Sequence, residues 1–187
     1  QSLENILKNH SNFYAGVKSV LQESERLGGI VGAVSEKLSF DPHYQTALEI
    51  ALGASSQNII VEDEAAATRA IDFLKKNRAG RATFLPLTTI KPRQLADHHR
   101  TSIESSKGFL GLASSLVTYE ASLDTIFQNL LGTTAIFDTV DNARPAARQV
   151  RYQVRIVTLD GTELRTGGSY AGGANKNNNT IFIKPEL

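Results

Sequence analysis

The spacing of apolar residues changes after the first 25 positions of the chain. Up to that point they recur at alternate steps of four and three, as in the seam of a coiled coil. The positions of this seam are Leu3, Leu7, His10, Tyr14, Val17, Leu21 and Ser24. The spacing predicts a helix over residues 1–25 that ends at Gly28-Gly29, and an amphipathic helix packed on a domain is the alternative with a similar pattern.

From Gly29 onward, short apolar runs alternate with helical patterns. Asp41 before Pro42 and Asp63 before a run of alanines are typical N-caps, and Gly53 is a typical helix end. The predicted elements are a strand at 30–34, a helix at 42–53, a strand at 58–61, a helix at 63–77 and a strand at 82–85. A connection rich in charged and hydroxyl side chains follows.

The same order of elements occurs twice along the chain. Residues 32–53 align without a gap with residues 111–132, which lie 79 positions later. After a slip of two residues the matching segments are 58–61 with 135–138, 63–74 with 141–152, and 82–85 with 154–157. A repeat of this length predicts a mixed α/β (α+β) fold with two similar β-α-β-α-β lobes. Lobe one covers about 28–90, the connection about 91–107, and lobe two about 108–174.

A segment with two glycine pairs, TGGSYAGGA at residues 166–174, follows a hairpin predicted at Asp160-Gly161. A flexible loop is one interpretation, and a surface for close contact with a phosphate, a nucleic acid or another chain is the other. The segment fits neither the G-x-x-x-x-G-K-[ST] phosphate loop nor the G-x-G-x-x-G dinucleotide motif. Close packing between backbones is therefore the preferred interpretation.

Composition restricts the possible classes of function. The 187 residues are 41% hydrophobic, which suffices for a core, and no apolar run of about 18 residues predicts a membrane span. The polar start is unlike a signal peptide, and the absence of an initiator Met favours a piece of a longer protein. Zero cysteines exclude disulfides and suit a reducing cytoplasm. The net charge is +1, so nucleic-acid binding would require a local basic patch.

Residues typical of catalytic or metal sites do not form a recognisable motif. The four histidines include Asp97-His98-His99, but adjacent loop residues seldom chelate together and no third ligand is evident. No G-x-S-x-G elbow occurs in the sequence. The sequence therefore predicts neither an enzyme nor a bound metal, cofactor or small-molecule substrate.

Basic residues suggest a second kind of contact. Lys75, Lys76, Arg78 and Arg81 cluster at the end of a predicted helix, Lys107 closes the connection, and Lys176 follows the glycine segment. Cations at a helix C-terminus also complement its dipole, and charged runs are commonly solvated faces. A patch built from some of these residues could bind phosphates without reading base sequence.

Several stretches together resemble the hinge domain of a bacterial SMC (structural maintenance of chromosomes) protein from a Gram-positive organism. The residues that carry the resemblance lie at 13–21 (FYAGVKSVL), 32–34, 44–53 (YQTALEIALG), 70–87 (AIDFLKKNRAGRATFLPL), 108–114 (GFLGLAS), 152–161 (YQVRIVTLDG) and 167–174. They extend from the N-terminal helix almost to the C-terminus. The RATFLPL and double-glycine motifs are specific in combination.

The resemblance implies an architecture and a partner. Residues 1–27 would be the incoming coiled-coil stub, 28–174 the hinge, and 175–187 the start of the outgoing arm. Family hinges form homodimers in which lobe one of each chain meets lobe two of the other. The interface residues it implies are Gly167, Gly168, Ser169, Tyr170, Ala171, Gly172 and Gly173.

The resemblance also implies a place in chromosome condensation and segregation. The parent would be a cytoplasmic, nucleoid-associated ATPase whose nucleotide sites lie in head domains outside this sequence. Weak, sequence-independent DNA contact would involve Lys75, Lys76, Arg78, Arg81, Lys107 and Lys176. The Asn-rich run at 175–179 carries a single Lys where the family places basic residues.

The rival hypothesis is a two-lobed α/β ligand-binding protein or enzyme. In that case a pocket between the lobes would hold the ligand, and the connection at 91–107 would act as a lid. A monomer would be acceptable for this class, whereas the hinge hypothesis requires a stable dimer.

Overall fold

The computed structural model describes residues 13–174, in which strands and helices alternate. The strands are β1 (Ile30–Ala33), β2 (Ile59–Val61), β3 (Phe84–Pro86), β4 (Phe109–Leu112), β5 (Thr134–Phe137), β6 (Arg155–Thr158), β7 (Glu163–Leu164) and β8 (Tyr170–Ala171). The α-helices are α1 (Ala15–Gln22), α2 (Ser24–Leu27), α3 (Gln45–Leu52), α4 (Glu64–Asn77), α5 (Asp97–Glu104), α6 (Asp124–Leu131) and α7 (Val140–Gln149). The predicted mixed α/β fold with two β-α-β-α-β series is confirmed.

The chain divides into two compact units. The described part of unit 1 consists of residues 13–37 and 54–90, and that of unit 2 consists of residues 38–53 and 91–174. The repeat-based division assigned residues 38–53 to lobe one, whereas the structure groups them with unit 2. Helix α3 packs there against α6 and β6, which belong to the second repeat.

Unit 1 contains a three-stranded sheet in the order β1-β2-β3. Strand β1 pairs with β2 in antiparallel orientation, and β2 pairs with β3 in parallel orientation. All three residues of β2 are buried, as expected for the central strand of the sheet. The apolar faces of α1 and α4 pack against this sheet through Val17, Val20, Leu21, Ala66, Ala70 and Leu74.

Helix α1 differs from the helix predicted over residues 1–25. It begins at Ala15, because Tyr14 is in an extended conformation and donates its backbone N–H to Gln57 Oε1 at 3.0 Å. Tyr14 is 65% exposed although the predicted seam includes it. The buried face of α1 comprises Gly16, Val17, Val20 and Leu21, so residues 15–22 form an amphipathic helix packed on a unit. Residues 1–12 lie outside the described residues.

Unit 2 contains a five-stranded sheet in the order β4-β5-β6-β7-β8. Only the β5–β6 pair is parallel, and the other neighbours are antiparallel. The predicted Asp160-Gly161 hairpin joins β6 to β7, and Asp160 accepts hydrogen bonds from Thr158 and Thr162. Helices α5 and α7 pack on one core through Ile103, Ala143, Ala146 and Ala147.

The repeat is visible in backbone detail. A register shift lies between Ile30 and Gly32 in unit 1 and between Phe109 and Gly111 in unit 2. Val61 at the end of β2 and Phe137 at the end of β5 occupy equivalent positions, so the slip after the aligned segments is three residues rather than the predicted two. Sequence alone misjudged this slip because short 3₁₀ turns, not a regular element, precede the strand in unit 1.

The segment at 91–107 is not a structureless connection. It contains α5, whose Ile103 is fully buried in the core of unit 2. A single apolar residue among charged and hydroxyl neighbours is too weak a pattern to predict a helix. This segment therefore belongs to the body of unit 2 rather than to a mobile lid.

Candidate functional site

The glycine segment forms the last hairpin of the unit 2 sheet. Strand β8 pairs with β7 through Ala171 opposite Glu163 and Tyr170 opposite Leu164. The turn between these strands is closed by two backbone hydrogen bonds, from Arg165 N–H to the Ser169 carbonyl at 2.8 Å and from Gly168 N–H to the Arg165 carbonyl at 2.9 Å. Part of the segment is thus an ordinary hairpin rather than a flexible loop.

The first glycine pair is explained by backbone conformation. Gly167 and Gly168 have φ values of 96° and 108°, which are strained for residues with a Cβ atom. Gly173 has a φ of 134°, whereas Gly172 is outside the positive-φ region. A positive φ therefore accounts for three of the four glycines and leaves Gly172 without such a requirement.

Space beside the glycine segment is empty within the described chain. A Cβ atom at Gly167, Gly168 or Gly173 would meet no atom within 4 Å, and one at Gly172 would meet only Thr162 at ordinary contact distances. The side chain of Tyr170 is 44% exposed on the same segment. The residues predicted as an interface thus lie in the turn before β8, in β8 itself and directly after it, at the end of the sheet.

Tyr152 supports the glycine segment at two points. Its carbonyl oxygen accepts the Gly167 N–H at 2.8 Å, and its hydroxyl lies 3.1 Å from the hydroxyl of Tyr170. The hydrogen bond between the two hydroxyls raises the pKa of Tyr170 above its ordinary value. Tyr152 itself has a φ of 55°, a left-handed conformation that bulky residues seldom adopt. Sequence reasoning did not identify Tyr152 as a support, because no residue pattern signals a left-handed tyrosine.

Both sheets end in strands with a free outer edge within residues 13–174. In unit 2 the outer edge of β6 is covered by β7, and β8 forms the end of the sheet. In unit 1 the strand equivalent to β6 is β3, and no described strand lies beyond β3. Unpaired N–H and C=O groups on such edges can pair with another chain.

The predicted phosphate-binding residues do not all belong to one unit. Lys75 and Lys76 occupy the last turn of α4, Arg78 caps that helix in a left-handed conformation, and exposed Arg81 follows Gly80. Lys107 is exposed in unit 2, and Lys176 lies outside the described residues. Among residues 13–174, no carboxylate forms a salt bridge with the cations from 75 to 81.

The part of the chain that the structure describes contains an acidic surface groove but no candidate metal centre. The groove has a volume of about 450 Å³ and is lined by Asp138, Thr139, Val140, Asp141, Leu159 and Asp160. Hydrogen bonding from Asn142 lowers the pKa of Asp138, and hydrogen bonding from Thr158 lowers that of Asp160. Among residues 13–174, no three His, Cys, Asp or Glu side chains are placed to hold a metal ion. No described helix is long and apolar enough to cross a membrane.

Comparison with known proteins gives one consistent family. The SMC proteins Flexible Hinge Domain family matches residues 27–147. The chromosome partition protein Smc of Bacillus subtilis (strain 168) is 47% identical over 181 residues, which cover 97% of this chain and 15% of that protein. The chain thus spans only a small part of the curated relatives that it matches.

Solved structures give the same result at the level of the fold. The hinge domain in the crystal structure of an asymmetric dimer of the Geobacillus stearothermophilus SMC hinge superposes with a TM-score of 0.89 at 40% identity, covering 94% of this chain and 71% of that one. The Pyrococcus furiosus SMC hinge domain superposes with a TM-score of 0.72 at 28% identity, covering 97% and 91%. Together with the family match, these similarities show that the chain belongs to the flexible hinge domains of SMC proteins.

Proposed function

We propose that this hinge domain joins two copies of its chain through the glycine segment. The observation that carries the proposal is the position of β8 at the end of its sheet, with unfilled space beside Gly167, Gly168 and Gly173, which flank the strand, within the described chain. Another backbone can approach such an edge closely, because no side chain stands between. The related Geobacillus stearothermophilus hinge crystallised as an asymmetric dimer, which supports the same assembly here.

The edge of β3 in unit 1 is the proposed counterpart in the second copy. Strand β3 holds the position in its sheet that β6 holds in unit 2, but no described strand covers its outer side. Its parallel pairing to β2 uses one edge and leaves the other for an additional strand. Two such contacts related by a two-fold axis would form a closed dimer.

Site-specific cross-linking tests this pairing directly. The chain has no cysteine, so an engineered Cys is the only thiol in each variant. A tagged Tyr170→Cys chain is mixed with untagged Thr83→Cys or Thr88→Cys chains, which place an exposed thiol at either end of β3. After subunit exchange, a short bis-maleimide is expected to link the tagged and untagged chains.

The matched control is Ser115→Cys, which places an exposed thiol elsewhere in unit 2. The pairing is refuted when Tyr170→Cys links to the thiols beside β3 no faster than to Ser115→Cys. Equal cross-linking to all three partners would indicate random collision rather than a defined interface.

Weak, sequence-independent DNA contact is the second part of the proposal. It rests on Lys75, Lys76, Arg78 and Arg81, exposed cations that form no salt bridge with any described carboxylate. Lys107 and Lys176 complete the predicted set. Each neutralised phosphate releases counterions, so the affinity should fall with salt.

Fluorescence anisotropy of a labelled DNA duplex tests this contact at low and moderate salt. Changing Lys75 or Lys76 singly to Glu should weaken binding and reduce the salt dependence, while Lys18→Glu on α1 serves as the charge-matched control. Equal DNA affinity of the two kinds of variant, or an affinity that does not change with salt concentration, would contradict the proposed patch.

The role of the whole protein is inferred from the names of its relatives. The matched proteins are called chromosome partition proteins, and this chain covers 15% of the B. subtilis one. We infer that the hinge connects two such chains in chromosome condensation and segregation, beside the nucleoid. ATP hydrolysis would belong to head domains that this sequence does not include.

A further inference from the structure

One arginine of unit 2 links three separate chain segments. Arg155, at the start of β6, donates from Nη2 to the Ile50 carbonyl at 2.9 Å and from Nη1 to the Ala51 carbonyl at 2.8 Å. Its Nε donates to Glu163 Oε2 at 2.6 Å. The two carbonyls belong to the last turn of α3, where backbone oxygens have no partner within the helix. Arg155 thus caps α3 and pairs with β7 through one guanidinium group.

Glu163 continues the link toward the glycine segment. It is only 9% exposed, and its second oxygen, Oε1, accepts a hydrogen bond from Arg165 Nε at 3.1 Å. Arg165 lies at the start of the turn and exchanges backbone hydrogen bonds with Ser169 and Gly168. The backbone of Glu163 also faces Ala171 of β8. A continuous chain of hydrogen bonds therefore runs from the end of α3 to the turn that carries the first glycine pair.

We propose that Arg155 is a positioning residue for β8, acting through Glu163 and Arg165. This inference rests on the proposed dimerisation through the glycine segment. The planar guanidinium holds two carbonyls and a carboxylate in fixed directions, which a flexible ammonium group reproduces poorly. Without Arg155, Glu163 would remain half-paired in a buried setting, and the β7–β8 hairpin would lose its fixed relation to α3.

The first experiment separates positioning from general stability. Arg155→Gln is expected to raise the dissociation constant of the dimer about tenfold. Analytical ultracentrifugation measures this constant under conditions where the variant is fully folded. Arg155→Lys keeps the positive charge but not the planar guanidinium, so its dissociation constant should lie between those of Arg155→Gln and the wild type. The control is Ile126→Val, which removes one methyl group from a fully buried side chain of α6, outside the core cluster that contains Leu164 and Tyr152. It should lower the melting temperature and keep the wild-type dissociation constant.

The second experiment does not depend on the dimer. Amide hydrogen exchange should be faster in Arg155→Gln than in the wild type at the N–H groups of Arg165 and Gly168, which close the turn. Unchanged exchange at these amides, or a folded Arg155→Gln with the wild-type dissociation constant, would overturn the inference. If the wild-type chain is monomeric, dimerisation fails as the function, while the exchange rates still decide whether Arg155 orders the turn.

Discussion

Among single residues, Gly16 has a role that its helical setting does not suggest. It lies on the buried face of α1, where a Cβ atom would overlap the carbonyl oxygen of Arg81. Across the same contact, a Cβ on Gly80 would lie 3.1 Å from the backbone nitrogen of Gly16. The backbones of α1 and of the turn before β3 thus approach each other directly. This contact fixes α1 against the rest of unit 1 at one point.

We expect Gly16→Ala to lower the free energy of unfolding by about 1–3 kcal/mol, because the added methyl group overpacks this contact. Alanine normally favours a helix over glycine, so helix propensity alone predicts the opposite sign. Urea unfolding followed by circular dichroism measures the change, with Ser19→Ala on the same helix as control. A Gly16→Ala variant as stable as the wild type would contradict the close contact.

Asp63 shows how far one residue can be read from sequence. The predicted N-cap is confirmed, since the Asp63 carboxylate accepts the Ala66 N–H at 2.9 Å at the start of α4. Thr139 caps α7 in the same way in the second repeat, although the sequence alignment matched Asp63 to Asp141. A capping residue can be predicted from the local sequence. Its equivalent in the second repeat cannot be found without knowing the lengths of the loops.

Replacing Asp63 by Ala should cost about 1 kcal/mol of stability, because an N-terminal N–H of α4 loses its acceptor. The control is Asp72→Ala, which removes an exposed carboxylate from the middle of the same helix. Thermal unfolding of both variants measures the difference. Equal losses for the two variants would show that charge rather than capping is responsible.

At the scale of elements, the β6–β7 hairpin carries a carboxylate with a shifted pKa. Burial raises the pKa of Glu163, but the hydrogen bonds and positive charges of Arg155 and Arg165 outweigh burial and lower it below its ordinary value of 4.5. A carboxylate with a lowered pKa in the folded state stabilises the protein above its unfolded pKa. That contribution is lost as the pH falls through the folded pKa.

The stability difference between the wild type and Glu163→Gln should therefore be largest near neutral pH and shrink as the pH falls below 4.5. Urea unfolding at a series of pH values measures it. Thr118→Val, away from this hairpin, should give a difference that does not follow the same titration. A Glu163→Gln difference that is constant from pH 7 to the acid range, or grows on acidification, would contradict the lowered pKa.

Elements with strong local signals were predicted well from the sequence. The end of α4 at Asn77, the end of α3 before Gly53 and the Asp160-Gly161 hairpin all follow from caps and turn residues. The predicted start of α1 was wrong. Tyr14 fits the apolar spacing, but its backbone is in an extended conformation and donates a hydrogen bond to Gln57, which is distant in sequence. Helix α5 was missed because only Ile103 marks its buried face.

The candidate site was predicted in part. Its glycine segment stands out by composition, and the structure adds that the first pair forms the turn between β7 and β8. The supports of that turn, Tyr152 and Arg155, could not be predicted. Arg155 reaches the carbonyls of Ile50 and Ala51 more than 100 positions earlier, a contact that no local pattern encodes. The role of the segment in pairing two chains stays a prediction.

For the whole molecule, the assignment to the SMC hinge family supports the proposal that these features serve the pairing of two chains. Residues 13–174 form two sheets, each ending in a strand whose outer edge has no described partner. Sheet edges of this kind are liabilities in a monomer and useful in a symmetric dimer. The glycine segment would therefore be retained for assembly as well as for its own turn.

The mass of the protein in solution tests the central claim most directly. Light scattering at micromolar concentration should give twice the 20.3 kDa mass of one chain for the wild type. Gly172→Glu should give the monomer mass, because Gly172 tolerates a side chain within its own chain and the charge would enter the proposed interface. Gln153→Glu, an equal charge on an exposed position of unit 2, should remain dimeric. A monomeric wild type, or a Gly172→Glu variant that stays dimeric, would contradict dimerisation through the glycine segment.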